Sequence, residues 1–200
     1  MIDAWPEYFT VEVDEGYSLQ LPLISDENGF SIYVLDLMGR VDWNKSVAAS
    51  LYARLNEAGH EFDIILTAEA KAIALAEELA ACCGHSEYVV LRKSPKLYMQ
   101  KPIVVVDVQS ITTKALQHFY LGRDKADLLK GKRVCVLDDV ISTGGTMKAI
   151  FDVAEQIGST ISVIAAVLTE GELHGETFAG VPLVCLGNIP LPGFTTAPTG

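Results

Sequence analysis

The stretch Val134 to Thr146, VCVLDDVISTGGT, combines three kinds of chemistry in thirteen residues. An apolar, β-branched run ends in two adjacent carboxylates, Asp138 and Asp139. Hydroxyls follow at Ser142, Thr143 and Thr146, around the pair Gly144-Gly145. A short glycine loop between a strand and a helix leaves backbone N–H groups unpaired, and these suit an anion at the positive end of the helix dipole. Two glycines allow close approach of the backbone and positive φ. The acid pair can accept hydrogen bonds from two vicinal hydroxyls. One segment thus suits both ends of a phosphorylated ribose: the diol on Asp138 and Asp139, the phosphate on Ser142 to Thr146. The lysine-bearing loop GxxxxGK and the dinucleotide fingerprint GxGxxG are both absent. A receiver-type phosphoacceptor site would use the paired acids but not the Ser-Thr-Gly-Gly-Thr loop. A plain structural turn with a capping Asp would need neither.

Cations lie upstream. Lys71 sits in Thr67 to Ala72, between a strand-like run and a helix-like one. Alone it reads as an exposed helix lysine. Arg92, Lys93 and Lys96 cluster after another apolar run, and they are three of only 15 basic residues in a chain of net charge -11. Such a local excess in an acidic protein favours an anion site over a solvated face. The overall charge argues against a nucleic-acid surface, which needs clustered cations over a broad face.

These residues need elements to position them. Tyr8 to Val13 and Tyr17 to Ile24 read as a hairpin around Asp14-Glu15-Gly16, and Phe30 to Leu37 as a further strand. Asp42 to Ala58 reads as a helix with Asp42 as N-cap and Gly59 at its end; Ala70 to Cys82 reads as a second, ended by Gly84. Phe62 to Leu66, Glu87 to Leu91, Ile103 to Val106, Val134 to Leu137, Ile161 to Leu168 and Pro182 to Leu186 read as strands, the last being the final one. A helix is predicted from Gly145 to Ile157, ended by Gly158. Alternating strands and helices imply an α/β fold with an open, mostly parallel sheet flanked by helices, and ligands in such sheets bind at the carboxyl ends of the strands.

The chain has 200 residues, half of them hydrophobic and 20% charged, which suits a single packed domain. A mean hydropathy of +0.28 without a long uncharged apolar stretch argues for buried parallel strands rather than a membrane span. Cys82, Cys83, Cys135 and Cys185 form no CxxC pair and read as free thiols. With no signal-like start, they suggest the cytoplasm. His85 and His174 lack metal-ligand spacing.

The segment VCVLDDVISTGGT resembles the phosphoribosyl pyrophosphate (PRPP) motif of type I phosphoribosyltransferases, in its apolar strand, acid pair and Thr-Gly-Gly-Thr loop. The resemblance spans roughly residues 62–168 and is nearest the adenine and xanthine branch. It implies PRPP binding by Lys71, Arg92, Lys93, Lys96, Asp138, Asp139, Ser142, Thr143, Gly144, Gly145 and Thr146, with the acid pair at the catalytic ribose. Glu69, Ala70 and Lys71 would form the pyrophosphate loop, with a cis peptide at Glu69-Ala70. Many purine members have Arg then Gly where this chain has Lys71 then Ala72. Arg92, Lys93 and Lys96 match an Arg-Lys-x-x-Lys stretch whose cations cross a dimer interface in the family, which implies a homodimer. The layout implied is one domain, residues 1–200. Its PRPP-binding core is 60–170, and residues 1–40 and 185–200 supply a small hood.

The function implied is transfer of a 5-phosphoribosyl group from PRPP to a nucleobase, a purine with adenine favoured, with Mg²⁺ as cofactor and no direct protein ligand assigned to it. Ser110 to Lys114 would belong to a mobile catalytic loop, with Lys114 covering the pyrophosphate. The adenine branch carries a Glu in that loop. Here Lys101 to Tyr120 offers only Asp107, so no general acid or base is assigned. The adenine branch's Phe-Arg-Asp signature is also missing near Phe30. Phe30, Tyr33, Ile189 and Leu191 are candidates to line a base pocket. Two alternatives stay open: a non-catalytic PRPP-sensing regulator and an orotate-type pyrimidine enzyme.

Overall fold

A computed structural model describes residues 5–14, 16–99, 104–109, 116–142, 144–172 and 177–194. The chain opens with the hairpin β1 (Tyr8–Asp14) and β2 (Tyr17–Ser25), then β3 (Phe30–Tyr33) and helix α1 (Val41–Glu57). Next come β4 (Ile64–Ala68), α2 (Ile73–Cys82) and β5 (Val89–Leu91). A ribbon of β6 (Val104–Gln109) and β7 (Leu116–Leu121) leads to α3 (Arg123–Leu129). The unit β8 (Arg133–Ile141), α4 (Gly145–Ile157) and β9 (Thr160–Glu170) follows, and β10 (Thr177–Phe178), β11 (Val181–Ile189) and β12 (Gly193–Phe194) come last.

The central sheet has the order β10-β11-β9-β8-β4-β5 and is parallel except for β10. Parallel strands covered on both faces read as continuous apolar runs. Accordingly all of β4, Val134 to Leu137 and Val163 to Thr169 are buried. Alternation then sorts their side chains between two cores. Ile65, Cys135, Leu137, Val163 and Ala165 face the layer of α1, α2 and the β1–β2 hairpin. Leu66, Val134, Val136, Ile164 and Ala166 face α4, Leu129 of α3 and Phe119 of β7. A separate antiparallel sheet, β1-β2-β3-β12, joins segments from both ends of the chain.

The strand order explains where a ligand can enter. From β4 the chain passes through α2 to β5 on one side; from the neighbouring β8 it passes through α4 to β9 on the other. Helices α2 and α4 lie on opposite faces. The loops leaving β4 and β8 therefore diverge and open a crevice between their carboxyl ends, the switch point at which open α/β sheets bind ligands.

Several expectations are corrected. Strand β3 stops at Tyr33 rather than Leu37: Leu35 and Leu37 are buried as alternation requires, but the Leu35 and Leu37 carbonyls accept from the Lys71 and Asn44 side chains. Asp42 lies in the first turn of α1, where an acid suits the dipole, and Arg40 is the N-cap. Helix α2 begins at Ile73, three residues later than helix propensity suggested, because residues 69–72 first turn the chain out of β4. The run near Ile103 forms β6, which pairs with β7 in its own two-stranded ribbon outside the central sheet. Strand β8 continues through the acid pair to Ile141, and β11 is not last, since β12 follows it.

Candidate active site

The crevice is floored by the ends of β4 and β8. Asp138 and Asp139 lie within β8, with their carboxyls close enough to interact directly. The Asp139 backbone N–H donates to Asp138 Oδ1 at 2.9 Å. Burial, with the Asp139 charge second, pushes the Asp138 carboxyl well above the usual carboxylate range. Lys71 Nζ reaches to 3.6 Å from Asp139 Oδ2 and to 3.4 Å from the Leu35 carbonyl, while its side chain stays half exposed. A cation thus stands over the acid pair, with room left for another anion.

The loop after β4 carries the rest. The Glu69-Ala70 peptide is cis, at the bond named by the resemblance. Glu69 is not free to meet a ligand: its carboxylate lies 2.6 Å from Arg92 Nε and accepts from the Lys93 backbone N–H at 2.5 Å. Arg92 is itself fixed by paired backbone hydrogen bonds with Tyr120 of β7. In this structure its guanidinium serves Glu69. Lys93 is exposed, and Lys96 Nζ donates to Ser94 Oγ at 2.7 Å, on a surface stretch that also presents Leu97 and Tyr98 to solvent.

The loop after β8 leads into α4, whose N-cap is Gly144 at φ 76°. Having no side chain, Gly144 leaves the first amides of α4 open to an anion, and Gly145 and Thr146 at the helix start are only partly buried. The Ser142 hydroxyl donates to the carboxylate of Glu170, at the end of β9, whose own proton affinity is raised by burial. Thr143 lies outside the described residues, as do Ser110 to Lys114 and His174.

The structure therefore gathers Lys71, Asp138 and Asp139 at one crevice, with Ser142, Gly144, Gly145 and Thr146 following on the loop from β8, and sets Arg92, Lys93 and Lys96 on a neighbouring stretch. Two base-pocket candidates are core residues instead. Tyr33 is 2% exposed, packs on Trp5 and Phe9 and donates to the Pro6 carbonyl, and Ile189 is fully buried. Leu191 is 39% exposed and lies beside Gly171. Sequence reading missed Thr67, whose buried hydroxyl has no partner among the described residues, two positions before Glu69. A hydroxyl ending an otherwise apolar strand was the available signal. It also missed Glu170 and Phe178, which lie outside the loop they touch.

The switch-point sheet thus carries an acid pair and a glycine loop together at the end of one strand. A family model described as phosphoribosyl transferase domain matches residues 42–176. The chain belongs to the phosphoribosyltransferase family. Relatives include xanthine phosphoribosyltransferase 1 of Clostridium perfringens, 32% identical over 131 residues (61% of this chain and 68% of the relative). Adenine phosphoribosyltransferase of Thermobifida fusca is 32% identical over 133 residues (66% and 71%). Among solved structures, adenine phosphoribosyltransferase of Rhodothermus marinus superposes with a TM-score of 0.66 at 22% identity, covering 84% of this chain and 94% of that one. The Trypanosoma brucei enzyme in complex with AMP, pyrophosphate and ribose-5-phosphate gives 0.65 at 20% identity (92% and 87%). The fold is theirs, and the relatives at 32% identity are adenine and xanthine phosphoribosyltransferases.

Proposed function

We propose that the protein transfers the 5-phosphoribosyl group of PRPP to a purine base, with adenine favoured, giving a nucleoside monophosphate and pyrophosphate. The observation that carries this is the acid pair Asp138–Asp139 between Lys71 and the open N-terminus of α4. The bond from C1′ to the pyrophosphate oxygen breaks, a bond from C1′ to a ring nitrogen forms, and that nitrogen loses one proton. Negative charge builds on the leaving group while the ribose becomes cationic.

Lys71 faces the first change and stabilises the departing pyrophosphate. Asp138 and Asp139 hold the ribose hydroxyls, their carboxyl oxygens accepting from the two O–H groups of the diol. Ser142, Thr143, Gly144, Gly145 and Thr146 hold the 5-phosphate. Lys93 and Lys96 extend the cationic rim, and Arg92 joins them only on release from Glu69.

Asp138 and Asp139 offer the carboxylate oxygens that a Mg²⁺ shared with substrate oxygens and water would take. Bound there, Mg²⁺ would neutralise charge on the pyrophosphate. Adenine is favoured because adenine phosphoribosyltransferases recur among the relatives, the Thermobifida fusca enzyme at 32% identity among them. A homodimer would bury the exposed Leu97 and Tyr98 beside Lys96. No helix among the described residues is long and apolar enough to cross a membrane, and with four free thiols a cytoplasmic location is our reading.

The test is pyrophosphate release from PRPP with Mg²⁺ across adenine, guanine, hypoxanthine, xanthine, uracil and orotate. Turnover fastest with adenine is expected. Fastest turnover with xanthine or orotate would overturn the base assignment. PRPP binding without turnover on any base would favour a sensor.

A further inference from the structure

The phosphate loop is held from outside its own segment. A methyl group placed on Gly144 would lie 2.3 Å from Cζ and 2.6 Å from Cε2 of Phe178. The Phe178 ring therefore rests on the loop backbone at the residue that caps α4. It also meets Phe151 two turns along the same helix, with ring centroids 6.4 Å apart. One aromatic side chain thus touches both the cap and the body of the helix.

The hairpin that presents Phe178 is tightly specified. Thr177 pairs with Pro182 and Phe178 with Val181, so only Ala179 and Gly180 form the turn. Both have positive φ, 51° and 81°, as a two-residue hairpin turn matching the strand twist requires. Ala179 is the one non-glycine residue with positive φ among the described residues, a conformation disfavoured for any side chain. What the turn achieves is to put Phe178 opposite Val181, over Gly144. The same loop is also held by Glu170 of β9, which accepts from Ser142.

We propose that Phe178 is a positioning residue for the 5-phosphate cradle, acting through the backbone of Gly144. This rests on the reading of residues 142–146 as that cradle. With the ring in place, Gly144 keeps its left-handed conformation and the first amides of α4 keep a common direction. Without it, the cap has open space on that side, and the amides lose alignment on the phosphate. The rest of the site is untouched, so the loss falls on PRPP binding and not on the step at C1′.

The experiment compares wild type with Phe178→Ala and Phe178→Leu in PRPP-dependent turnover, and by calorimetry with ribose 5-phosphate. Phe178→Ala is expected to raise KM for PRPP and weaken ribose 5-phosphate about tenfold, with kcat within about twofold, since misaligned hydrogen bonds to a charged group are lost. Phe178→Leu, which refills most of the space, is expected to recover most of the loss. Should the alanine variant not fold, the leucine variant decides the point with a rise of about threefold in KM. Unchanged KM and affinity in a folded variant, or a fall in kcat alone, would overturn the positioning role. A wild type that binds neither ligand would overturn the reading of the loop, and the proposal with it.

Discussion

Strands β4 and β8 carry acids and a base at both of their ends, and the two arrangements are opposite in kind. At the amino ends, Arg133 closes on Asp63 and Glu61. Its Nη2 is 2.9 Å from Asp63 Oδ1 and its Nη1 is 2.7 Å from Glu61 Oε2, while Asp63 Oδ2 accepts the Arg133 backbone N–H at 2.8 Å. Each of these three charges has a partner and faces water. At the carboxyl ends, Asp138 and Asp139 are packed together more deeply, with Lys71 at 3.6 Å and half exposed. The first cluster ties two strands together and has nothing left to offer a ligand. The second leaves like charges close and partly desolvated, an arrangement that costs stability in the free protein and is relieved when hydroxyls and cations arrive. The same residue types in the same two strands thus make a staple at one end and a binding site at the other, and satisfaction of the charges is the difference.

The comparison breaks most plainly if the carboxyl-end acids prove dispensable. Asp138→Asn/Asp139→Asn is expected to lower turnover by about 10³-fold or more, as loss of preorganised charge at a reacting sugar should. Retained pyrophosphate release in this variant would remove the centre of the site. Next in size, Lys71→Met should cost about 10²-fold in kcat/KM for PRPP, with the loss growing as the leaving group becomes more charged. A loss confined to the purine KM would place Lys71 elsewhere.

Stability should move the other way. Asp138 binds its proton more tightly folded than unfolded, so folding becomes less favourable as pH rises from the unfolded carboxylate range toward the raised folded value. Asp138→Asn lacks that slope. In urea unfolding it should gain on wild type as pH rises above the ordinary carboxylate value of 3.8. Parallel curves for the two proteins would mean that Asp138 is not held against ionisation.

How much of this the sequence announced depended on whether the determining contact was local. The β-branched run before Asp138, the two glycines and the bounds Gly145 to Ile157 were legible, because strand burial and left-handed Gly144 and Gly158 are encoded within a few residues. The delayed start of α2 was not. Ala70, Lys71 and Ala72 are strong helix formers, and only the path of the chain out of β4 overrides them. The pairing of Glu69 with Arg92 spans 23 positions, and the support of Gly144 by Phe178 spans 34; neither pattern has a period to betray it. Leu35 and Leu37 show the converse, a true alternation of buried side chains with no partner strand among the described residues to make it β.

The smallest effects should come from the amino-end staple, and their smallness is what sharpens the contrast. Hydrogen bonds from the Arg133 side chain and backbone hold the Asp63 carboxyl down to about 2, from an ordinary 3.8. An acid depressed on folding contributes stability that is present above the ordinary value and lost as pH falls toward the depressed one. Both side chains are well solvated, so screening leaves that contribution modest. Asp63→Asn should therefore keep wild-type turnover and PRPP affinity at neutral pH and shift Tm by no more than a few degrees. Its melting temperature should approach that of wild type as pH falls from 4 to 2, since wild type loses the pair in that window and the variant has none to lose. If Asp63→Asn instead reduced turnover as Lys71→Met does, the two ends of β4 and β8 would be coupled through the sheet, and the division between staple and site would not hold.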